Sequence, residues 1–358
     1  MAAEEENTSR TFLPFDIIEC ILLKLPSKSL LRFKTVSKSW RSTISDPNFA
    51  KIHPQFPNPP NLFLLKRSID QGFYLVKLHG KEVREEAVLE SPNGWNNALC
   101  CCNGVLLLTS TYWVHWWSRE YFLWNPSTRK TARFSFPPDF VYSGSINFGI
   151  CYERTTNDFK VVITCKEMYA VFSCKSNSWT EKLGFPYHGS VPGISVDGSV
   201  YWVLRDERKT KQVVRFDSKT DELETLRKPE QVNDDDLFQL ACLKGGLCFY
   251  CKIGDGTAVR IWIKEKGVFE NCWKELITVE GLENIHIRSI EPVCFVENKV
   301  VLRLEGTRIV CYDPCEKTFE EFEDNDLFNF ELYPILDSLF FPVMKTNNKR
   351  KRELSVRF

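Results

Sequence analysis

The side chains best suited to chemistry in this chain of 358 residues are its 14 cysteines and five histidines. Cys248 and Cys251 have metal-ligand spacing, and Cys311 and Cys315 could complete a four-thiolate zinc set. Against that, Cys248 and Cys251 lie three apart in a β-type run, where alternation sends them to opposite faces. Cys100-Cys101-Cys102 cannot supply an ordinary disulfide framework. Most of the cysteines sit inside apolar strand patterns, as reduced, buried thiols of an intracellular protein do, so neither a metal nor another cofactor is expected. His53, His79, His115, His188 and His286 are dispersed. The chain has no Gly-rich phosphate loop, no His-x-x-x-His pair and no Gly-x-Ser-x-Gly elbow. Nothing marks out the paired carboxylates of glycosidase chemistry. The expectation is a chain that binds and does not catalyse.

Three segments could carry binding. Tyr112, Trp113, Trp116 and Trp117 crowd a hairpin tip behind the strand-like Val105–Leu108 run, and such rings anchor interfaces at low entropic cost. Alternate members such as Trp113 and Trp117 suit a core equally well. Asp234-Asp235-Asp236 reads as a solvated acidic loop. Lys349-Arg350-Lys351-Arg352 reads either as a nuclear import signal or as a solubilising tail. The 47 basic and 47 acidic side chains cancel, which argues against general nucleic-acid binding. The longest apolar runs, such as Gly104–Leu108, are strand length, well short of the roughly 18 residues of a membrane span. Met1–Arg10 is acidic and polar, unlike a secretory signal. No membrane partner is expected, and the expected locations are cytoplasm and nucleus.

These segments need elements to hold them. Ile17, Ile18, Ile21, Leu22 and Leu25 fall at i, i+1, i+4, i+5 and i+8, one face of a helix. Pro14 suits a first turn, Asp16 and Glu19 favour its positive end, and Pro26 stops it. Ser27 is placed to cap a second short helix through Leu30, Leu31 and Phe33. Val36, Trp40 and Ile44 have helical spacing, and Asp46-Pro47 restarts the chain. Three or four short helices in about 40 residues bury too little area to stand alone, so a partner or an attached domain must cover them.

The run from about Leu13 to His53 resembles the F-box. Leu-Pro, Asp-Ile-Ile, Ile-Leu, Lys-Leu-Pro, Lys-Ser-Leu-Leu-Arg-Phe-Lys, Val-Ser-Lys-Ser-Trp-Arg and Ile-Ser-Asp-Pro-Asn-Phe occur in order without a gap. The resemblance implies docking to a Skp-type adaptor, which bridges to a cullin–RING ubiquitin ligase. It also implies the contact residues: Leu13, Pro14, Ile17, Ile18, Ile21, Leu22, Leu25 and Pro26. Some of these must instead hold the helices together, and their spacing does not say which.

Pro54, Pro57, Asn58, Pro59 and Pro60 mark a boundary, after which the pattern turns to short β runs. An aromatic residue ends a β run before a turn at Trp124, Phe172, Phe216, Trp262 and Tyr312, at intervals of 48, 44, 46 and 50. A turn precedes an apolar strand at Asn103-Gly104, Asn157-Asp158, Asp197-Gly198, Gly245-Gly246 and Glu297-Asn298. A weaker copy, Asn61–Leu65 and then Leu75–Leu78, fits one period before Trp124. Such a unit cannot bury both faces of its own sheet, and radial repetition solves that while protecting strand edges. An irregular β-sandwich is the competing fold. The period resembles kelch repeats, although only Gly245-Gly246 supplies a double glycine. Asn103-Gly104-Val105, Leu123–Thr128, Phe148-Gly149-Ile150 and Asp197-Gly198 are more similar to the F-box-associated domain that follows the F-box in a large plant family.

The reading is therefore a multidomain α + β chain. It has a disordered N-terminus (1–10), a small helical F-box (11–53), a linker (54–60), an all-β propeller of about six blades (61–343) and a basic tail (344–358). Its expected role is the substrate receptor of an SCF-type ubiquitin ligase, with a target protein the sequence does not name. The alternative is a non-catalytic binding or scaffold propeller whose F-box does not lead to ubiquitylation.

Overall fold

The computed structural model describes residues 13–53, 62–67, 72–79, 82–92, 95, 97–109, 120–137, 146–165, 167–189, 191–233, 237–253, 256–265, 272–322, 330–342 and 344. Four short helices come first: α1 (Phe15–Leu23), α2 (Ser27–Phe33), α3 (Lys38–Ser45) and α4 (Pro47–Ile52). Ser37 caps α3 by accepting from the Trp40 amide at 3.1 Å, and Asp46 caps α4 through the Asn48 amide at 2.6 Å, with Pro47 at the first helical position.

The β region forms six four-stranded antiparallel sheets, the blades of a closed ring. Blades 2 to 6 are each continuous in sequence; blade 2, for example, is Asn97–Cys102, Val105–Thr109, Glu120–Asn125 and Lys130–Ser135. Blade 1 is composite. Leu62–Arg67, Phe73–His79 and Glu82–Leu89 supply three strands, and Phe330–Pro334 from the far end of the chain pairs with Leu62–Arg67 as the fourth. This closure explains why the first repeat looks weak in sequence: one strand of its blade lies some 240 residues away, beyond every other blade.

Six apolar seams, one between each pair of neighbouring blades, form the core. The second strands read as continuous apolar runs because both of their faces are buried. Val161 and Ile163 enter the seam with blade 2, while Val162 enters the seam with blade 4. The aromatic anchors all lie on third strands, and each faces the preceding blade. Trp124 plugs the seam between blades 1 and 2, Phe172 the next, and then Phe216, Trp262 and Tyr312 in turn. In blade 1 the place opposite the second strand is taken by Val76, paired with Phe63.

Asn103-Gly104 and Asp197-Gly198 turn with both residues at positive φ, as expected of tight hairpins. In blade 5 the turn is Lys244-Gly245, not Gly245-Gly246. Gly246 already belongs to the strand, where a Cβ would meet the Ile263 side chain at 2.8 Å. None of the 14 cysteines forms a disulfide. Cys248 packs in the seam between blades 5 and 6 and Cys251 in the seam between blades 4 and 5, the opposite faces that alternation predicts.

Candidate functional site

α1 has two apolar faces with different fates. Leu22 and Leu23 point inward and join Leu30, Ile44, Phe49 and Ala50 in a helical core. Ile17 and Ile21, one turn apart, point outward and are 47% and 48% exposed. Leu13, Pro14 and Phe15, just before them in the chain, are exposed as well, as is Val36 between α2 and α3. Among the described residues this is an exposed apolar face on a small module.

Of the residues that the F-box resemblance implies as contacts, Leu13, Pro14, Ile17 and Ile21 are exposed, and Ile18 and Leu25 are half-buried against the helical core. Leu22 is 1% exposed and has no surface to offer a partner, so it must be assigned to the core. Pro26 is exposed, but it lines a cleft facing the ring. His53, itself buried, donates from Nε2 to the Leu25 carbonyl at 2.7 Å and fixes that turn.

The helices are not held by their own packing alone. After the closing strand, residues 335–342 run as a strap between the helices and the ring. Leu339 is buried in the helical core and Phe340 packs against it. Phe340 also meets the rings of Tyr152 and Phe159 in blade 3, at centroid distances of 4.7 and 5.2 Å. Buried Asn125 donates through Nδ2 to the carbonyls of Ser338 and Phe340, both at 2.8 Å. At Gly104, φ is +78° and a Cβ would stand 2.4 Å from the Leu336 carbonyl, so the strap passes where only glycine fits.

Asp337 makes the direct tie. It accepts the Ser27 amide at 2.9 Å and also the Ser27 hydroxyl. The expected local cap by Ser27 is thus replaced. Ser27 is the first residue of α2, and the carboxylate that satisfies this helix end lies 310 residues further along the chain. Sequence reading missed Asp337, and the only signal available was an acid beside one serine in the apolar run Ile335–Phe341. Beneath the strap, Glu153 ends the first strand of blade 3. Burial alone would raise its carboxyl, but the Thr156 hydroxyl and the Thr155 and Thr156 amides outweigh that and hold it down to about 2.

The strap contacts the side of the ring that carries the turns between first and second and between third and fourth strands. The opposite side carries the links between second and third strands and between blades. Thr109 and Glu120, the strand ends joined by the aromatic segment, lie on that opposite side. Tyr112, Trp113, Trp116 and Trp117 themselves lie outside the described residues, as do Asp234–Asp236 and Lys349–Arg352. Among the described residues no set of three or more His, Cys, Asp and Glu side chains converges in a way that could hold a metal ion, and no helix is long and apolar enough to cross a membrane.

A small helical module with an exposed apolar face is strapped to one side of a closed six-bladed ring. Residues 12–52 match the F-box domain and residues 70–330 match the F-box associated beta propeller domain, so the chain belongs to the F-box associated β-propeller family, with the F-box N-terminal and the propeller following it. It is 27% identical over 349 residues to F-box protein CPR1 of Arabidopsis thaliana, covering 84% of this chain and 82% of that one. It is 25% identical over 340 residues to F-box/WD-40 repeat-containing protein 1 of the same plant, covering 85% and 79%. Neither matched domain is an enzymatic one.

Proposed function

We propose that this protein is the substrate-recognition subunit of an SCF-type E3 ubiquitin ligase. The helical module docks a Skp-type adaptor and, through it, a cullin–RING ligase. The propeller holds the protein to be ubiquitylated, on the side away from the helices, near the strand ends that carry Tyr112, Trp113, Trp116 and Trp117. Catalysis belongs to the recruited enzymes, and this chain contributes proximity. The observation that carries the reading is the exposed face of Leu13, Ile17 and Ile21 on a module whose inner face is already satisfied by the strap. In this reading the receptor works in cytoplasm and nucleus, with Lys349–Arg352 as its import signal.

Co-expression with a Skp-type adaptor tests it. Wild type should co-elute with the adaptor from a sizing column as a one-to-one complex, and the Ile17→Asp/Ile21→Asp double variant should elute alone with an unchanged melting temperature. Retention of the adaptor by that variant would sink the docking assignment. Failure of the wild-type complex to join a cullin would leave a scaffold propeller in its place.

A further inference from the structure

The junction between helices and ring is not closed everywhere. Beside the strap a cleft of about 690 Å³ opens between α1–α2 and blades 1 and 2. That is the size of a small-molecule site. Its walls are apolar: Leu25 and Leu31 come from the helices, and Leu75 and Leu89 from blade 1. Five cations and two acids line it. Lys28 and Arg32 stand on the helical side, Lys77 and Arg129 on the ring side, and Lys24 completes the set.

Two acids line the same cleft. Asp337 accepts from Ser27, and Glu86 is exposed. Among the described residues none of the five cations forms an ion pair, although salt bridges are frequent elsewhere on the ring. Like charges also face each other across the junction beside the cleft, at half-buried Lys34 and exposed Lys130. Burial lowers the Lys34 ammonium at the end of α2, and Lys130 in blade 2 lowers it further. Two modules that only had to adhere would bring opposite charges to this seam.

We propose that the cleft binds a small amphipathic anion, an apolar body bearing one carboxylate, sulfonate or phosphate. The body packs between Leu31 and Leu75. The charge lies between Arg32 and the Lys77–Arg129 pair, so that it bridges the two modules and stiffens the mount. A guanidinium on each side suits such a group, two of whose oxygens it can grip with two parallel hydrogen bonds. The site involves neither the exposed face of α1 nor the far side of the ring, and it stands or falls independently of the ligase reading.

The test uses the full chain and 8-anilinonaphthalene-1-sulfonate, an aromatic body with one sulfonate whose emission rises in apolar surroundings. One saturable site per chain is expected by calorimetry, together with a raised melting temperature. Arg32→Glu/Lys77→Glu should weaken binding by about ten-fold or more, the scale of a lost charge-assisted hydrogen bond. Lys219→Glu, a charge reversal in the Asp217–Asp221 turn of blade 4, should leave it unchanged. Leu75→Trp, which fills the cleft without touching charge, should block it. Equal binding to the Arg32/Lys77 variant, or equal binding of the neutral parent N-phenyl-1-naphthylamine, would overturn the proposal. So would loss of the probe on adding a Skp-type adaptor, which would make the cleft part of a protein interface.

Discussion

Replacing Asp337 by alanine should loosen the helices from the ring while leaving the ring intact. The carboxylate accepts two hydrogen bonds from Ser27, one from its amide at 2.9 Å. Ser27 is 2% exposed, so neither donor has water to turn to once the acid is gone. A hydrogen bond to a charged group contributes about 1.5–3 kcal/mol, and a lost helix cap costs about 1 kcal/mol. The two bonds share one carboxylate and do not add, so about 3 kcal/mol is expected. At 1.36 kcal/mol per decade this raises the opening equilibrium of the helical module by about 100-fold. The module is too small to stay folded on its own packing, so the loss should appear as local opening. Native-state hydrogen exchange read by mass spectrometry is the assay. Amides of α2 should lose about two decades of protection, and the strand amides of blades 4 and 5 should lose none. Ser27→Ala keeps the amide bond and should lose less, and Ser27→Ala added to Asp337→Ala should lose little more, because both act on one contact. If α2 in Asp337→Ala stays within two-fold of wild type, or if protection falls evenly around the ring, the mount does not depend on this tie and the reasoning fails.

Leu22→Asp should unfold the helices where Ile17→Asp does not, because it places a charge in the helical core at a cost above about 3 kcal/mol; circular dichroism and adaptor binding in parallel separate the two, and equal melting curves would contradict the inner and outer faces assigned to α1. Gly104→Ala should cost about 1–3 kcal/mol and release the strap, since its Cβ would meet the Leu336 carbonyl at 2.4 Å; an unchanged melting temperature would show that the strap does not bear on this turn. Glu153 has a carboxyl held below its unfolded value, so its stabilisation is complete above about pH 4.5 and is lost as pH falls toward 2. Glu153→Gln should therefore be less stable than wild type by up to about 3 kcal/mol at pH 6, with the gap closing as pH falls through that window in paired denaturant melts; a gap independent of pH would assign the effect to packing.

Much of the ring is legible in the order of residues because its determinants are local. A strand buried on both faces needs a continuous apolar run, a tight hairpin needs residues that tolerate positive φ, and five of the six seams take a large ring from a third strand, so Trp124, Phe172, Phe216, Trp262 and Tyr312 recur at nearly equal intervals. The helical block is legible for the same reason, since its period, prolines and caps act within one or two turns. What the order of residues leaves open is which of two apolar faces meets what. Leu22 and Ile21 are neighbours of the same chemical type, and only the packing of Leu22 with Leu30, Ile44 and Phe49, and of this cluster with Leu339 from the strap, makes one core and the other surface. The first blade could not be completed from its own period, because its fourth strand is Phe330–Pro334. Ser27 has the chemistry of a cap and is instead capped, because Asp337 reaches it from across the fold. Periodicity specifies the elements through forces that act over a few residues. The closure of the ring, the strap and the orientation of the helices rest on contacts between residues roughly 190 to 310 positions apart, whose pairing exists only once the ring has brought the two ends of the chain together.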